Sequence, residues 1–262
     1  MSGPALPRWF RPVHYPNIGS TNDAAKTLAR DGAPPGTLVW ADQQTAGRGR
    51  RGRAWQSPPG NLYLSLVLRP SGPPLRAPQL GFVAALALSD ALAPYAAGHE
   101  LRCKWPNDVL LDGRKLAGIL LESETGGGEA VDFVIVGMGV NLIAAPDGTE
   151  FPAISLKTAR IVPPSPAMAL AAFAAHFDEW HRCWEERGFA PIRNAWLQRA
   201  SGVGQVIRVR LERASFTGRF LDIDDEGGLL VEDAGVQRRI AAGEVFPVAP
   251  SRSKEWAGQE SG

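Results

Sequence analysis

From Leu62 to Leu68 the chain reads Leu-Tyr-Leu-Ser-Leu-Val-Leu. A stretch apolar on both faces predicts a strand in the middle of a sheet. Thr37-Leu-Val-Trp-Ala41 predicts a second strand. Between Pro78 and Ala93 the apolar residues fall on nearly every face of a helix, so that helix is expected to pack on the sheet. Ser20-Thr-Asn-Asp23 is a cluster of capping residues before an Ala-rich helix to Arg30, stopped by Gly32 and Pro34-Pro35. Short strands are expected near 101–105 and 108–111, then a turn at Asp112-Gly113 and a strand at Leu116–Glu122. Gly126–Gly128 marks a hairpin tip before a strand at Val131–Val136. Ile143 to Pro166 holds five prolines and no clear period, so it reads as loop. A long helix then runs to Gly188, with Leu170, Phe173, Phe177, Trp180 and Trp184 spaced three and four apart as a packing stripe.

After Ser201-Gly-Val-Gly204 the texture changes to short alternating strands at 206–211, 218–223, 229–231 and 237–241. Such spacing predicts a small barrel. The expected division is a catalytic part over 1–200, a barrel over 201–250 and a disordered tail over 251–262. The acidic turn Asp224–Gly228 lacks the glycine and terminal glutamate of a calcium loop and reads as a solvated hairpin.

Composition narrows the class. The 28 Lys+Arg against 27 Asp+Glu leave no excess to make a basic face for DNA or a membrane. Cys103 and Cys183, far apart, suggest reduced thiols rather than a disulfide framework or metal site. The N-terminus lacks the regions of a signal peptide, and the most apolar stretch is too short to span a bilayer. A cytoplasmic protein is expected.

The chemistry concentrates in Gly47-Arg-Gly-Arg-Arg-Gly-Arg53, followed by Trp55. Four guanidiniums on a glycine-rich backbone need solvent or an anion to offset their repulsion, and arginine grips carboxylate or phosphate through paired N–H bonds. Gly47, Gly49 and Gly52 satisfy a dinucleotide fingerprint, but that motif requires a helix directly afterwards, and Gln56-Ser-Pro-Pro-Gly60 breaks one. An ordered anion-binding loop in an enzyme fits better. Three further segments look chemical: Lys104-Trp-Pro-Asn-Asp108, Gly113-Arg-Lys-Leu-Ala-Gly-Ile-Leu120, and Val136-Gly-Met-Gly-Val-Asn141. Taken singly, each reads equally as a surface turn, a strand edge or a bulge.

In this order and spacing the four segments resemble those of biotin–protein ligases, over Ser20 to about Pro247. The resemblance implies an α+β fold: a mixed-sheet catalytic domain related to class II aminoacyl-tRNA synthetases and lipoyl ligases, followed by an SH3-like barrel. It implies biotin and ATP as substrates, Mg²⁺ accompanying ATP without a dedicated protein metal site, and a biotin carboxyl carrier protein as the lysine-bearing partner. A monomer or homodimer is expected. Only 19 residues precede Ser20, so the DNA-binding module of some members is not expected.

Carried over residue by residue, the resemblance makes Arg50, Lys115 and Asp108 the catalytic candidates. Ser20, Thr21, Asn22 and Gln44 match positions that bind the biotin ring, and Gly118 and Gly137 leave room for the ring and its chain. Arg48, Gly49, Arg50 and Lys115 match positions around biotin's carboxylate. Arg48, Arg50, Arg53, Lys104, Asn107 and Lys115 are candidates for the phosphate and ribose, with Trp55 stacking on adenine and Asn141 reading its edge. Trp55 as a structural plug and Ser20–Asn22 as a plain cap remain alternatives. The arginine loop is expected to be solvated when empty and to order over the adenylate. A lipoate or octanoate ligase, or a non-catalytic anion-binding module, are the competing functions.

Overall fold

The computed structural model describes residues 4–125 and 131–248. The expected hairpin tip at Gly126–Gly128 and the tail from 251 lie outside them. In chain order the first unit contains β1 (Arg11–Tyr15), α1 (Thr21–Arg30), β2 (Thr37–Ala41), β3 (Leu62–Leu68), α2 (Gln79–Leu92), β4 (Leu101–Lys104), β5 (Asp108–Leu111), β6 (Arg114–Glu124), β7 (Phe133–Val140), α3 (Pro166–Arg187) and α4 (Phe189–Arg199). Its seven strands are ordered β1-β2-β3-β7-β6-β5-β4. The β1–β2 pair is parallel and the other pairs are antiparallel, which makes the sheet mixed.

The apolar run at Leu62–Leu68 is fully buried between β2 and β7, and β7 is buried along its whole length. α2 is buried at every position but Asp90. Alternation sorts the sheet's two faces. Leu64, Leu66, Val136 and Met138 join α2, α3 and α4 in the large core, whereas Val39, Val67, Phe133 and Ile135 pack beneath α1. α1 covers only part of its face. Beyond it the strands β3, β7 and β6 present two cross-strand rows, Ser65–Gly137–Leu120 and Tyr63–Gly139–Gly118. Opposed residues share a face, so Gly137, Gly139, Gly118 and Ser65 leave a low stretch of sheet beside the start of α1.

The second unit is antiparallel: β8 (Val206–Arg210), β9 (Ser215–Ile223), β10 (Leu229–Asp233), β11 (Val236–Ile240) and β12 (Glu244–Pro247), ordered β11-β10-β9-β8-β12. Its apolar residues Ile207, Phe220, Ile223 and Leu229 belong to the same hydrophobic cluster as α2 and α4, so one core runs across the junction. Phe82 of α2 meets Phe189 and Trp196 edge-on there, at 5.4 and 5.1 Å between centroids.

Three elements, β1, α4 and β12, escape the sequence reading. β1 (Arg-Pro-Val-His-Tyr) is a mostly polar edge strand, α4 follows α3 after one glycine, and β12 is four residues long. The turn Asp224–Gly228 joins β9 and β10 as a hairpin with Asp225 and Glu226 exposed, and its backbone is also a docking point. Gln79 Nε2 donates to Asp225 O at 2.9 Å and Trp105 Nε1 donates to Gly227 O at 3.0 Å. Gly227, at φ +83°, lies against the Phe82 ring, where a Cβ would crowd it. Gly137 and Gly139 lie in the last four residues of buried β7, which ends immediately before Asn141.

Candidate functional site

The sheet floor, the start of α1, the loop after β2, the 143–156 segment and β12 enclose a cavity of about 370 Å³. Every candidate named from the sequence lines it, from Ser20 to Asn141. No group of three or more His, Cys, Asp or Glu among the described residues could hold a metal.

One end is polar and uncharged. Ser20 occupies the N-cap position of α1, but its side chain makes no capping bond. Gln44 Oε1 accepts from Thr21 N at 2.8 Å and from Thr21 Oγ1 at 3.0 Å. Ser65 Oγ lies 2.8 Å from Thr21 Oγ1 and 2.5 Å from Asn22 Oδ1, and its one proton serves one of them at a time. Asn22 Nδ2 donates to Glu122 Oε2 at 2.6 Å, while Lys26 holds the other oxygen at 2.6 Å. Asn22 rests on Gly137, where any Cβ would collide with its amide. Gly137 therefore makes room first for Asn22, and only through it for a ligand.

The arginine loop is a small hairpin. Gly49 N donates to Arg53 O at 2.7 Å and Trp55 N to Gly47 O at 2.9 Å. A 3₁₀ turn at Arg50–Gly52 crosses the tip, with Arg51 at φ +56° and Gly52 at φ +71°. Ser57 ties its base to the polar end. It accepts from Gln44 Nε2 at 3.0 Å and donates to Trp55 O at 3.0 Å. A Cβ on Gly47 would meet both groups at under 3 Å.

Anions from elsewhere in the chain offset much of the loop's charge, while its arginines stay partly exposed. Arg48 makes a bidentate pair with Asp23, both bonds 2.6 Å, and Glu122 lies 3.9 Å away. Arg48 in turn holds the Asp23 carboxyl below its ordinary value. Arg53 pairs with Glu244, and Arg51 lies 3.9 Å from the same carboxylate. Carboxylates distant in sequence supply the compensation, which a reading of the loop alone misses. Arg50 differs. Its Nη1 donates to Gly243 O at 3.0 Å, and it has no carboxylate pair among the described residues. Burial, then the neighbouring Arg51 and Arg53, pull its guanidinium below its ordinary value without discharging it.

Opposite the loop, buried Asp108 stands between two ammonium groups. Lys104 Nζ is 3.0 Å from its Oδ2 and Lys115 Nζ 2.6 Å from its Oδ1. Burial alone would raise this carboxyl, but the two lysines outweigh it and bring it down to about 2. Lys104 is enclosed, lying 4.4 Å from the Phe151 ring centroid and 5.9 Å from that of Phe246. Lys115 remains partly open to the cavity, 5.4 Å from the Trp55 ring. Its backbone is held by the 143–156 segment, donating to Pro152 O at 2.8 Å and accepting from Ile154 N at 3.0 Å. Asn107 Nδ2 is committed to Ile119 O at 2.6 Å, and Asn141 Nδ2 makes a long 3.5 Å bond to Lys115 O.

The Trp55 indole lies over Gly118 and Gly139, and a Cβ on Gly139 would collide with it. Its buried Nε1 has no hydrogen-bond partner among the described residues, which marks it as a donor facing the cavity floor. Several lining residues were not found from sequence: Gly139, Glu150, Phe151, Glu244 and Phe246. Ser65, buried behind the lining and bonded to Thr21 and Asn22, was also missed. Ser65 had a signal, as the one small polar residue in an apolar strand. Glu150 and Glu244 had none.

Residues 15–141 match the biotin/lipoate A/B protein ligase family, and residues 202–246 match the biotin protein ligase C-terminal domain. The chain is 48% identical over 236 residues to a biotin–[acetyl-CoA-carboxylase] ligase of Paracoccus denitrificans, covering 87% of this chain and 96% of that one. It is 38% identical to the bifunctional ligase/repressor BirA of Bacillus subtilis, covering 88% of this chain and 72% of BirA. Among solved structures, a biotin protein ligase from Aquifex aeolicus in complex with biotin and ATP superposes with a TM-score of 0.76 at 27% identity, over 90% of this chain and 97% of that one.

Proposed function

Because this chain belongs to the biotin/lipoate A/B protein ligase family and carries the C-terminal domain of biotin protein ligases, we propose how its residues divide the work of activating biotin with ATP and transferring it to a protein lysine. Biotin and ATP are its substrates. The family also contains lipoate ligases, but the C-terminal match and the 48% identity to a biotin ligase favour biotin.

In the first step a carboxylate oxygen of biotin attacks the α-phosphorus of ATP, and the bond to the departing pyrophosphate breaks. Two anions must approach, so fixed cations are the main requirement. Arg50 and Lys115 suit this role because both reach the cavity and Arg50 lacks a carboxylate pair. At an effective dielectric near 20, a cation ~4 Å from a phosphate contributes roughly 4 kcal/mol before desolvation. The neutral cluster of Thr21, Asn22, Gln44 and Ser65 suits the ureido ring, and Ser20 adds an uncommitted hydroxyl. Trp55 over Gly118 and Gly139 offers a flat face for adenine, and Asn141 an edge reader. Arg48 and Arg53, already paired with Asp23 and Glu244, would act by holding the loop over the adenylate. Mg²⁺ would arrive on the nucleotide's phosphates, which suits a site without a carboxylate cluster.

In the second step the acceptor's amine attacks the activated carbonyl, an amide forms, and AMP leaves with the electron pair of the broken C–O bond. The amine must shed a proton. A carboxyl at about 2, clamped by two lysines, is a weak base. Once Lys115 turns towards the adenylate phosphate, Asp108 loses one clamp, becomes more basic and can orient the incoming ammonium. A biotin carboxyl carrier protein is the partner this chemistry serves. A cytoplasmic setting agrees with ATP use and with two unbridged cysteines.

The observation that carries this reading is the confluence of Arg50, Lys115 and Asp108 on one cavity whose other end is neutral and polar. The decisive experiment incubates the purified protein with a biotin carboxyl carrier domain, ATP and biotin, then measures the carrier by mass spectrometry. One biotinyl adduct on one lysine is expected. An unmodified carrier that a control ligase can label would refute the reading, as would lipoate supporting ATP–pyrophosphate exchange better than biotin.

A further inference from the structure

Arg210, on β8 of the small sheet, holds two carboxylates from different parts of the chain. Its Nη1 and Nη2 donate to Glu150 at 2.5 and 2.8 Å, and its Nε donates to Glu244 Oε2 at 3.0 Å while Nη2 also reaches Glu244. Each carboxylate adjoins a support of one of the two cations, Lys115 and Arg50, assigned above to the first step. Glu150 stands two residues before Pro152, whose carbonyl receives the Lys115 N–H. Glu244 receives Arg53 and follows Gly243, whose carbonyl receives Arg50 Nη1. The guanidinium also lies 4.7 Å from the Phe246 ring, which flanks Lys104 together with Phe151.

Resting on the functional reading above, we propose that Arg210 is a positioning residue for nucleotide activation: by joining Glu150 to Glu244 it sets the spacing between the backbone supports of Lys115 and Arg50. Three elements far apart in sequence thereby act as one frame. A planar fork suits this because it can satisfy both carboxylates without moving, which a lysine ammonium cannot do. Glu244 is buried, so its position is well determined. Glu150 is half exposed, and Arg210 holds its carboxyl below the ordinary value. The biotin-ring cluster of Thr21, Asn22 and Gln44 shares no hydrogen bond with this frame. Arg210 should therefore influence ATP more than biotin.

The test is steady-state ATP–pyrophosphate exchange for wild type, Arg210→Ala, Glu150→Gln and the double variant, with each substrate varied in turn. Arg210→Ala is expected to raise KM for ATP about fivefold, the scale of a good partly exposed ion pair, and to leave KM for biotin within about twofold. Glu150→Gln should show a smaller change of the same kind. The double variant should be no worse than Arg210→Ala alone, because both break one link. Should Arg210→Ala fail to fold, the half-exposed Glu150→Gln still carries the comparison. An unchanged KM for ATP in the folded variants, equal rises in both KM values, or additive effects in the double variant would overturn the proposal. Wild type without biotin-dependent exchange would overturn the functional reading, and this one with it.

Discussion

Lys115 pairs with Asp108, approaches the Trp55 ring and remains partly open to the cavity. Its backbone is held independently of its side chain, by Pro152 and Ile154. Truncation should therefore remove the charge without displacing the strand. Lys115→Ala is expected to lower biotin-dependent ATP–pyrophosphate exchange at least about a hundredfold, the scale for losing one electrostatic contact to a transition state, in a protein that still folds but with a lowered thermal transition, because Asp108 keeps only Lys104. Exchange at the wild-type rate would refute its role. Asp108 carries a second expectation. Its carboxyl lies below its unfolded value of ~3.9, so the stability it contributes is complete above about pH 4 and is lost as pH falls through about 2. Thermal unfolding of wild type and Asp108→Asn should show a gap at pH 6 that narrows between pH 4 and 2. A constant gap across that range would show that the ion pairs do not set Asp108's titration.

At the scale of elements, the arginine loop shows what local sequence encodes. Gly47, Gly49 and Gly52 permit a tight hairpin, and the prolines after Trp55 exclude a following helix. The exclusion of a helix was legible because backbone conformation is governed by neighbours, whereas the segment by itself reads only as an ordered loop and not as a hairpin. The charge balance of the same loop was not legible. Arg48 meets Asp23 across 25 residues and Arg53 meets Glu244 across 191, and no local pattern marks such a partner. The exception, Arg50, is the loop cation best placed to hold an acyl adenylate. Arg50→Gly is expected to let biotinyl-adenylate escape, seen as biotin on lysines of a bystander protein mixed with the variant, ATP and biotin. Labelling confined to the carrier domain would refute this. The strands follow the same logic. Apolar runs identified β3 and α2, whereas β1, α4 and β12 were missed because their stability comes from neighbours rather than from a period of their own.

At the scale of the molecule, the two sheets meet through one hydrophobic cluster, the turn at Asp224–Gly228 and the carboxylate bridge of Arg210. Gly227 is the tightest point, with a positive φ and the Phe82 ring against it. Gly227→Val is expected to lower unfolding stability by roughly 2–4 kcal/mol, from backbone strain and overpacking together, as read from the denaturation midpoint. An unchanged midpoint would mean that the turn does not bear on the junction.

The sequence by itself determined the class of secondary structure over most of the chain, the change of texture after Ser201, and the motifs whose family resemblance named many of the residues that share the cavity. Each of these depends on short-range periodicity, backbone permissiveness or a contiguous motif. The tertiary structure alone decided which arginines are neutralised and which is left to face the cavity. It also decided that Asp108 is clamped between two lysines, and that β12 and the 143–156 segment complete the wall. Coulomb and hydrogen-bond energies depend on separation in space, and packing brings together charges that the linear chain keeps far apart.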